Sequence, residues 1–423
     1  MWIVVLPGVN PLSVNLYKEA KKRDINIAAL SQKADNIDTR FCDKHIVVNA
    51  WTLKLCVEAI FEAKIRPLLA VIPINETYSH IAESISYKLC STHRIFNSKP
   101  LTDSIIKNKL RNKIESNDYF PSWQKVSIDK FRVTIEQALN QFASVVVKPI
   151  HGCLSIGTTV VRSSQDLDRA SNNLISGIRT LKNYIISPEV YKNNDTNSHF
   201  ILEEYIDSKE YVIDGIISLG NVVFASFCEK SDRSQIYNED RCYFTPCDLS
   251  KEIQLSAYTF IHKLAQTYPT LVSGFHAEFR IKDNKVKFID IGLRVGGSGL
   301  SDLIYFYSTG NSIFGFWINS ILGNKLKPNN SKEPCFTMLY LGQVRAGGIV
   351  TKLRSTKHDA IAAFGKIMFE HKFCNIGDKL SGLPNYSGHP SATIIKLNKQ
   401  NQSRASINKL LLLCEKHLNP IYQ

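Results

Sequence analysis

His276-Ala277-Glu278-Phe279-Arg280, the pair Asp283-Asn284, and then Lys287-Phe288-Ile289-Asp290-Ile291-Gly292-Leu293-Arg294-Val295-Gly296-Gly297-Ser298 form the stretch that decides the fold. Gly274–Lys282 and Val286–Ile291 read as two strands of a hairpin, turned by Asp283-Asn284 and ending in a Gly-rich loop. In antiparallel strands paired about that turn, Glu278 and Asp290 lie on neighbouring backbones and can face one side. Two carboxylates converging on apolar strands repel each other unless a cation lies between them, and Mg²⁺ with bound phosphates is the hard-oxygen cation such a pair suits. Arg294 follows in the loop, a planar fork for a carboxylate or phosphoryl oxygen. The bland alternative is a polar outward strand face with Arg294 paired to an acid.

Two upstream stretches extend this reading. Val145–Pro149 and Thr158–Val161 are short strands around a loop in which Gly152 and Gly157 have P-loop spacing, but Thr158 stands where a Walker motif requires lysine. The lysine is instead Lys148, at the end of the first strand, where an ammonium can sit over phosphates capped by loop N–H groups. A hairpin with a solvent-exposed lysine is the alternative. Phe200-Ile201-Leu202-Glu203-Glu204-Tyr205-Ile206 is an apolar strand ending in paired acids, able to offer backbone groups to a purine edge, with Glu210 placed to accept from ribose hydroxyls. Exposed acids at a strand end are the alternative here.

Outside these stretches the first hundred residues alternate Trp2–Leu6, Ile25–Leu30, His45–Val48 and Pro67–Pro73 as buried strands with Leu12–Arg23, Thr52–Ala63 and Thr77–Cys90 as helices. That alternation predicts a parallel, doubly wound sheet whose working edge lies at the carboxyl ends of its strands. Pro7-Gly8-Val9-Asn10-Pro11 after the first strand is not a dinucleotide fingerprint. Helices are also expected near Asp129–Leu139, Asp248–Tyr268 and Arg404–His417, and a hairpin turn at Gly220-Asn221. The 423 residues suit two to four packed units, and a hydrophobic share of 44% excludes a disordered chain. The 10 cysteines form no C-x-x-C pair and no disulfide framework, which points to a reducing compartment. Trp2–Leu6 is too short for a signal h-region and no 18-residue apolar run occurs, so a soluble, cytoplasmic protein without membrane partners is expected. An excess of 52 basic over 38 acidic side chains invites polyanions, but no recognition helix, RRM or zinc pattern accompanies it, so nucleic acid is not an expected partner.

Taken in order and spacing, the three motif stretches resemble the ATP-grasp superfamily of carboxylate–amine ligases, most closely the bacterial dipeptide-forming L-amino acid ligases. The resemblance implies an α/β chain with an α+β clamp: an N-terminal Rossmann-like domain (1–100), an ATP-grasp domain (101–330, small lobe about 101–205, large lobe about 206–330) and a C-terminal cap (331–423). It implies ATP and Mg²⁺ (or Mn²⁺) as cofactors, small carboxylate and amine substrates, and a homodimer. Lys148 would contact the α/β-phosphates and the Gly152–Gly157 loop, including Ser155, would close over the triphosphate. Glu203, Glu204 and Ile206 would line the adenine hinge and Glu210 would hold the ribose. Glu278 and Asp290 would carry the metal. Arg294 would stabilise the acyl phosphate or tetrahedral intermediate, and Gly296, Gly297 and Ser298 would contact the acid. Gly292 stands where the family usually has a metal-ligating Asn, and Asp103-Ser104 where it has Asp-Lys, which leaves Lys107 or Lys109 as the early phosphate contact. A biotin-carboxylase-like enzyme and a non-catalytic ATP-binding protein are the competing functional readings.

Overall fold

Lys44–Val48, Asn26–Gln32, Trp2–Leu6 and Leu68–Pro73 lie side by side in that order, all parallel, in the computed structural model. The model describes every residue except 34, 36, 91–116, 151, 153, 185–197, 232–239, 325–332, 345–346, 355–358 and 383–387. Helices Val14–Lys21, Leu53–Glu62 and Glu76–Leu89 fill the connections. Trp2–Leu6 is apolar throughout because both faces of the sheet are covered. Ile3 and Val5 join a core with Leu16 and Trp317, whereas Val4 and Leu6 join one with Cys56, Ile60 and Ile81. Asp35, Asn75 and Glu76 thus come to the carboxyl ends of their strands, the edge at which α/β sheets bind ligands.

A second sheet is antiparallel, in the order Trp123–Ser127, His199–Glu204, Val145–Pro149, Thr159–Val161. Helices Phe131–Gln141 and Leu167–Tyr184 pack on it. The third sheet has eight antiparallel strands: Lys285–Gly292, Val272–Lys282, Glu210–Ser218, Asn221–Lys230, Cys242–Thr245, Thr337–Leu341, Ser391–Leu397 and Gly365–Lys372. Thr337–Leu341 pairs with Cys242–Thr245, so this sheet continues across residue 330 into the C-terminal region. Arg404–His417 packs on its far strands.

The decisive hairpin forms, and a bulge at Ile289 shifts its register by one residue so that Glu278 lies opposite Asp290. Its turn residues Asp283 and Asn284 both have positive φ, at 50° and 58°, as a two-residue type I′ turn requires. The other hairpin turns one residue earlier than expected: Leu219 and Gly220 take positive φ, and Asn221 already begins the next strand.

Helices Leu300–Thr309 and Ile313–Ile321, which the sequence reading did not anticipate, fasten the parallel sheet to the large sheet. Phe314, Trp317 and Ile321 share a core with Ile3, Leu16 and Ile72 on one side and Ile216 and Val272 on the other. Within this seam Asp302 is fully buried and accepts from Asn15 Nδ2 at 2.8 Å, Ser312 Oγ at 2.7 Å and the Phe314 amide at 3.2 Å. Burial raises its pKa from 3.8 to about 6, against those donors. An acid whose folded value exceeds its unfolded one binds more protons in the native state, so its contribution to stability falls as pH rises between the two values and is level above the higher one. Melting temperatures followed across that window should therefore decline less steeply with rising pH in Asp302→Asn than in the wild type. Parallel profiles would show that Asp302 is ionised throughout.

Candidate active site

The three motif stretches meet around one cavity of about 770 Å³, between the small antiparallel sheet, the Glu278/Asp290 hairpin and the carboxyl edge of the parallel sheet. Lys148, at the end of Val145–Pro149, points to this wall because the strand alternates Val145 and Val147 into the core. Its Nζ lies 2.7 Å from Glu203 Oε2 and donates to the Ile289 carbonyl at 3.1 Å, tying the small sheet to the hairpin. In the loop that follows, Leu154, Ser155 and Gly157 adopt φ of 54°, 57° and 75°. These residues form a tight turn, and turn backbones can present N–H groups to an anion. Gly152, Leu154 and Ser155 line the cavity.

Beneath the hairpin's acids lies a chain of buried charge. Lys230, only 2% exposed, reaches Glu278 Oε1 at 2.6 Å, Glu210 Oε1 at 2.8 Å and Asp240 Oδ1 at 3.0 Å. Burial would strip its proton, but the three carboxylates outweigh burial and hold its pKa well above the ordinary lysine value. His276 Nδ1 meets Asp214 Oδ1 at 2.8 Å while Nε2 meets Glu278 Oε1 at 3.4 Å. Burial opposes its charge too, yet Asp214 and Glu278 push its pKa up to about 9, so it is cationic at neutral pH. Lys230 and His276 therefore converge on Glu278 Oε1, a two-cation support that fixes the carboxylate's orientation.

Arg294 lines the same cavity and its Nε lies 3.0 Å from Glu76 Oε2, on the first turn of Glu76–Leu89. The pairing with an acid and the place in the cavity, set against each other in the sequence reading, are both realised. A Cβ built on Gly292 would stand 2.7 Å from Glu76 Oε2. The side chain missing at 292 is thus the space into which Glu76 of the N-terminal domain reaches.

Of the residues singled out in the sequence, the cavity brings together Lys148, Gly152, Ser155, Glu203, Glu204, Ile206, Glu278, Asp290, Arg294, Gly297 and Ser298. Lys107 and Lys109 lie outside the described residues. Glu210, expected at a ribose, does not line the cavity. It is buried between Lys230 and Arg280, whose Nε is 3.2 Å from Oε2, because a carboxylate removed from water must be matched by cations. Gly157 and Gly296 are likewise absent from the lining, and their lack of a side chain serves packing. A Cβ at 157 would meet Pro149 Cγ at 2.8 Å, and one at 296 would meet Ser301 Oγ at 2.3 Å and His276 Nδ1 at 2.4 Å. Glu76, Asp35, Asp240, His276 and Arg280 are wall residues that the sequence reading left unassigned.

The donor set discriminates among metals. Among the described residues no cluster of three or more His, Cys, Asp or Glu could enclose an ion. Two carboxylates on one wall fit a hard cation that keeps several waters or phosphate oxygens, as Mg²⁺ does, and do not fit a thiolate or imidazole metal.

Comparison with known proteins agrees with this fold. Residues 141–302 match the family model for the ATP-grasp domain. The structure superposes on an L-amino acid ligase from Bacillus licheniformis with a TM-score of 0.76 at 16% identity, covering 100% of this chain and 98% of that one. It also superposes on a biotin carboxylase from Campylobacter jejuni (TM-score 0.64, 15% identity, 99% and 92% coverage) and on an N5-carboxyaminoimidazole ribonucleotide synthetase from Thermotoga maritima (0.64, 14%, 100% and 99%). No curated protein matches the chain by sequence. The chain carries an ATP-grasp domain within an ATP-grasp fold. No helix among the described residues is long and apolar enough to cross a membrane.

Proposed function

We propose that this ATP-grasp protein is an ATP-dependent carboxylate–amine ligase that joins small substrates, with amino acids as the expected class, through an acyl phosphate, releasing ADP and phosphate. The observation that carries the reading is a single cavity walled by Lys148, Glu203, the paired carboxylates Glu278 and Asp290, and Arg294. Glu203, Glu204 and Ile206 supply the hydrogen-bonding edge for the adenine. Lys148 and the loop at Gly152 and Ser155 meet the phosphates, with Lys107 or Lys109 as a further contact. Glu278 and Asp290 would hold Mg²⁺ (or Mn²⁺), which when bound neutralises charge on the transferring phosphoryl group.

A carboxylate is a poor electrophile, so its oxygen must first take up the γ-phosphoryl group. Arg294 offers a fixed cation to the charge that develops in that transfer and in the amine's subsequent attack, which expels phosphate. The loop at Gly297 and Ser298 would hold the acid, with Glu76 in reach of Arg294 orienting the guanidinium. No protein nucleophile is required. The reading includes a homodimer acting in the cytoplasm.

A pairwise amino-acid screen for ADP release, with hydroxylamine present to trap the activated acid, tests the proposal. ADP formation that depends on a specific acid, together with the matching hydroxamate, is expected. Release driven by bicarbonate without an acceptor amine would transfer the chain to the carboxylase reading. Silence across the whole matrix would defeat the ligase reading.

A further inference from the structure

A second cavity, of about 480 Å³, adjoins the first and shares only Phe120 and Glu204 with it. Its other walls are Pro121, Ser122 and Trp123 at the entry to the small sheet, and Lys282, Asp283, Lys285 and Lys287 around the turn of the hairpin. Lys285 and Lys287 are two apart on one strand and so share a face, while Lys282 pairs directly across from Lys285. Like charges placed opposite one another destabilise a hairpin. Lys282 is compensated, its Nζ ion-paired with Glu204. Among the described residues Lys285 and Lys287 have no ion-pair partner. Lys287 is half-buried, and its burial, reinforced by Lys285 and Lys282, holds its pKa below the ordinary lysine value despite Asp118 and Glu204.

Lysines on an edge strand can serve simply to keep another strand from pairing there, and Lys285–Gly292 is the edge of its sheet. That purpose is served by ammonium groups in water. It does not account for a lysine drawn into a cavity beside Trp123, in a volume within the range of small-molecule sites.

We propose that this second cavity binds a small phosphorylated metabolite carrying two or more negative charges, with Lys285 and Lys287 as the cations that hold it. The bound anion would supply the missing counter-charge to the hairpin. Its phosphate would approach the Lys282–Glu204 pair, and Glu204 is the charged wall residue common to both cavities, so occupancy of one alters the electrostatics of the other. None of its lysines belongs to the first cavity, so lysine variants separate this proposal from the ligase reading.

Calorimetric titration of the full chain with inorganic pyrophosphate tests this in three proteins: wild type, Lys285→Glu/Lys287→Glu, and Lys148→Ala/Arg294→Ala. Binding to the wild type should weaken about tenfold or more in the first variant and persist in the second. Loss of binding in Lys148→Ala/Arg294→Ala with retention in Lys285→Glu/Lys287→Glu would place the anion in the first cavity and overturn the proposal, as would no binding to the wild type. A readout on the wild type alone guards against a misfolded variant: an amine-reactive ester should label Lys287, and pyrophosphate should protect it. Labelling at an unchanged rate would show that the lysines serve only the sheet edge.

Discussion

Glu278→Gln should slow ADP formation by about 10²-fold or more while leaving adenine nucleotide binding within a few-fold. The substitution keeps the shape of the side chain and an oxygen able to accept from Lys230 and His276, which meet Oε1 at 2.6 and 3.4 Å in the native protein. What it removes is one of the two negative charges that the hairpin register brings side by side, Glu278 against Asp290. A hard cation held by only two protein carboxylates loses half its protein charge with that change, and the cost falls on phosphoryl transfer, where charge is largest. The adenine edge at Glu203, Glu204 and Ile206 is on other strands and should be spared. Gln is the informative replacement; Ala would also strand two buried cations and mix unfolding with catalysis. A turnover rate equal to the wild type would remove Glu278 from the proposed chemistry.

Lys230→Met should destabilise the fold by about 3 to 5 kcal/mol, the range seen when one partner is taken from a buried ion pair. Lys230 is 2% exposed and holds three carboxylates within 3.0 Å: Glu210, Asp240 and Glu278. Methionine fills the same space but removes the one ammonium that all three acids share, while Glu210 keeps Arg280 and Glu278 keeps His276. The urea midpoint, read with an unchanged slope, measures the loss. A shift under about 1 kcal/mol would mean that water or a rearranged side chain replaces the ammonium without cost. Because Lys230 touches Glu278, the surviving folded fraction should also turn over more slowly.

What the sequence disclosed and what it withheld divide along the range of the interactions. The parallel strands were legible because two-sided burial writes continuous apolar runs such as Ile3-Val4-Val5-Leu6. The hairpin was legible because Asp283-Asn284 is a turn pair, but the turn alone would set Glu278 opposite Ile289, and the one-residue bulge that brings Asp290 there carries no such local signal. Helix Leu167–Tyr184 carries its own local signal, with Leu167, Ala170, Leu174, Ile178 and Leu181 all buried at helical spacing. Glu76 had no local signal: it reaches Arg294 across more than two hundred residues, through a space that exists because position 292 is glycine. Glu210 shows the converse. Its place in the motif suggested a ligand, and only the fold reveals that Lys230 and Arg280 already claim its carboxylate. The excess of basic residues also acquires particulars, since Lys148 and Arg294 face one cavity and Lys285 and Lys287 another.

The central claim is that a substrate carboxylate is activated in the first cavity by taking up a phosphoryl group. Supplying the acid with both carboxylate oxygens labelled with heavy oxygen, and analysing the released phosphate by mass spectrometry, tests this most directly. Cleavage of an acyl phosphate by an amine leaves one substrate oxygen on the phosphate, so the account predicts one heavy oxygen per phosphate formed. Unlabelled phosphate accompanying amide formation would contradict it.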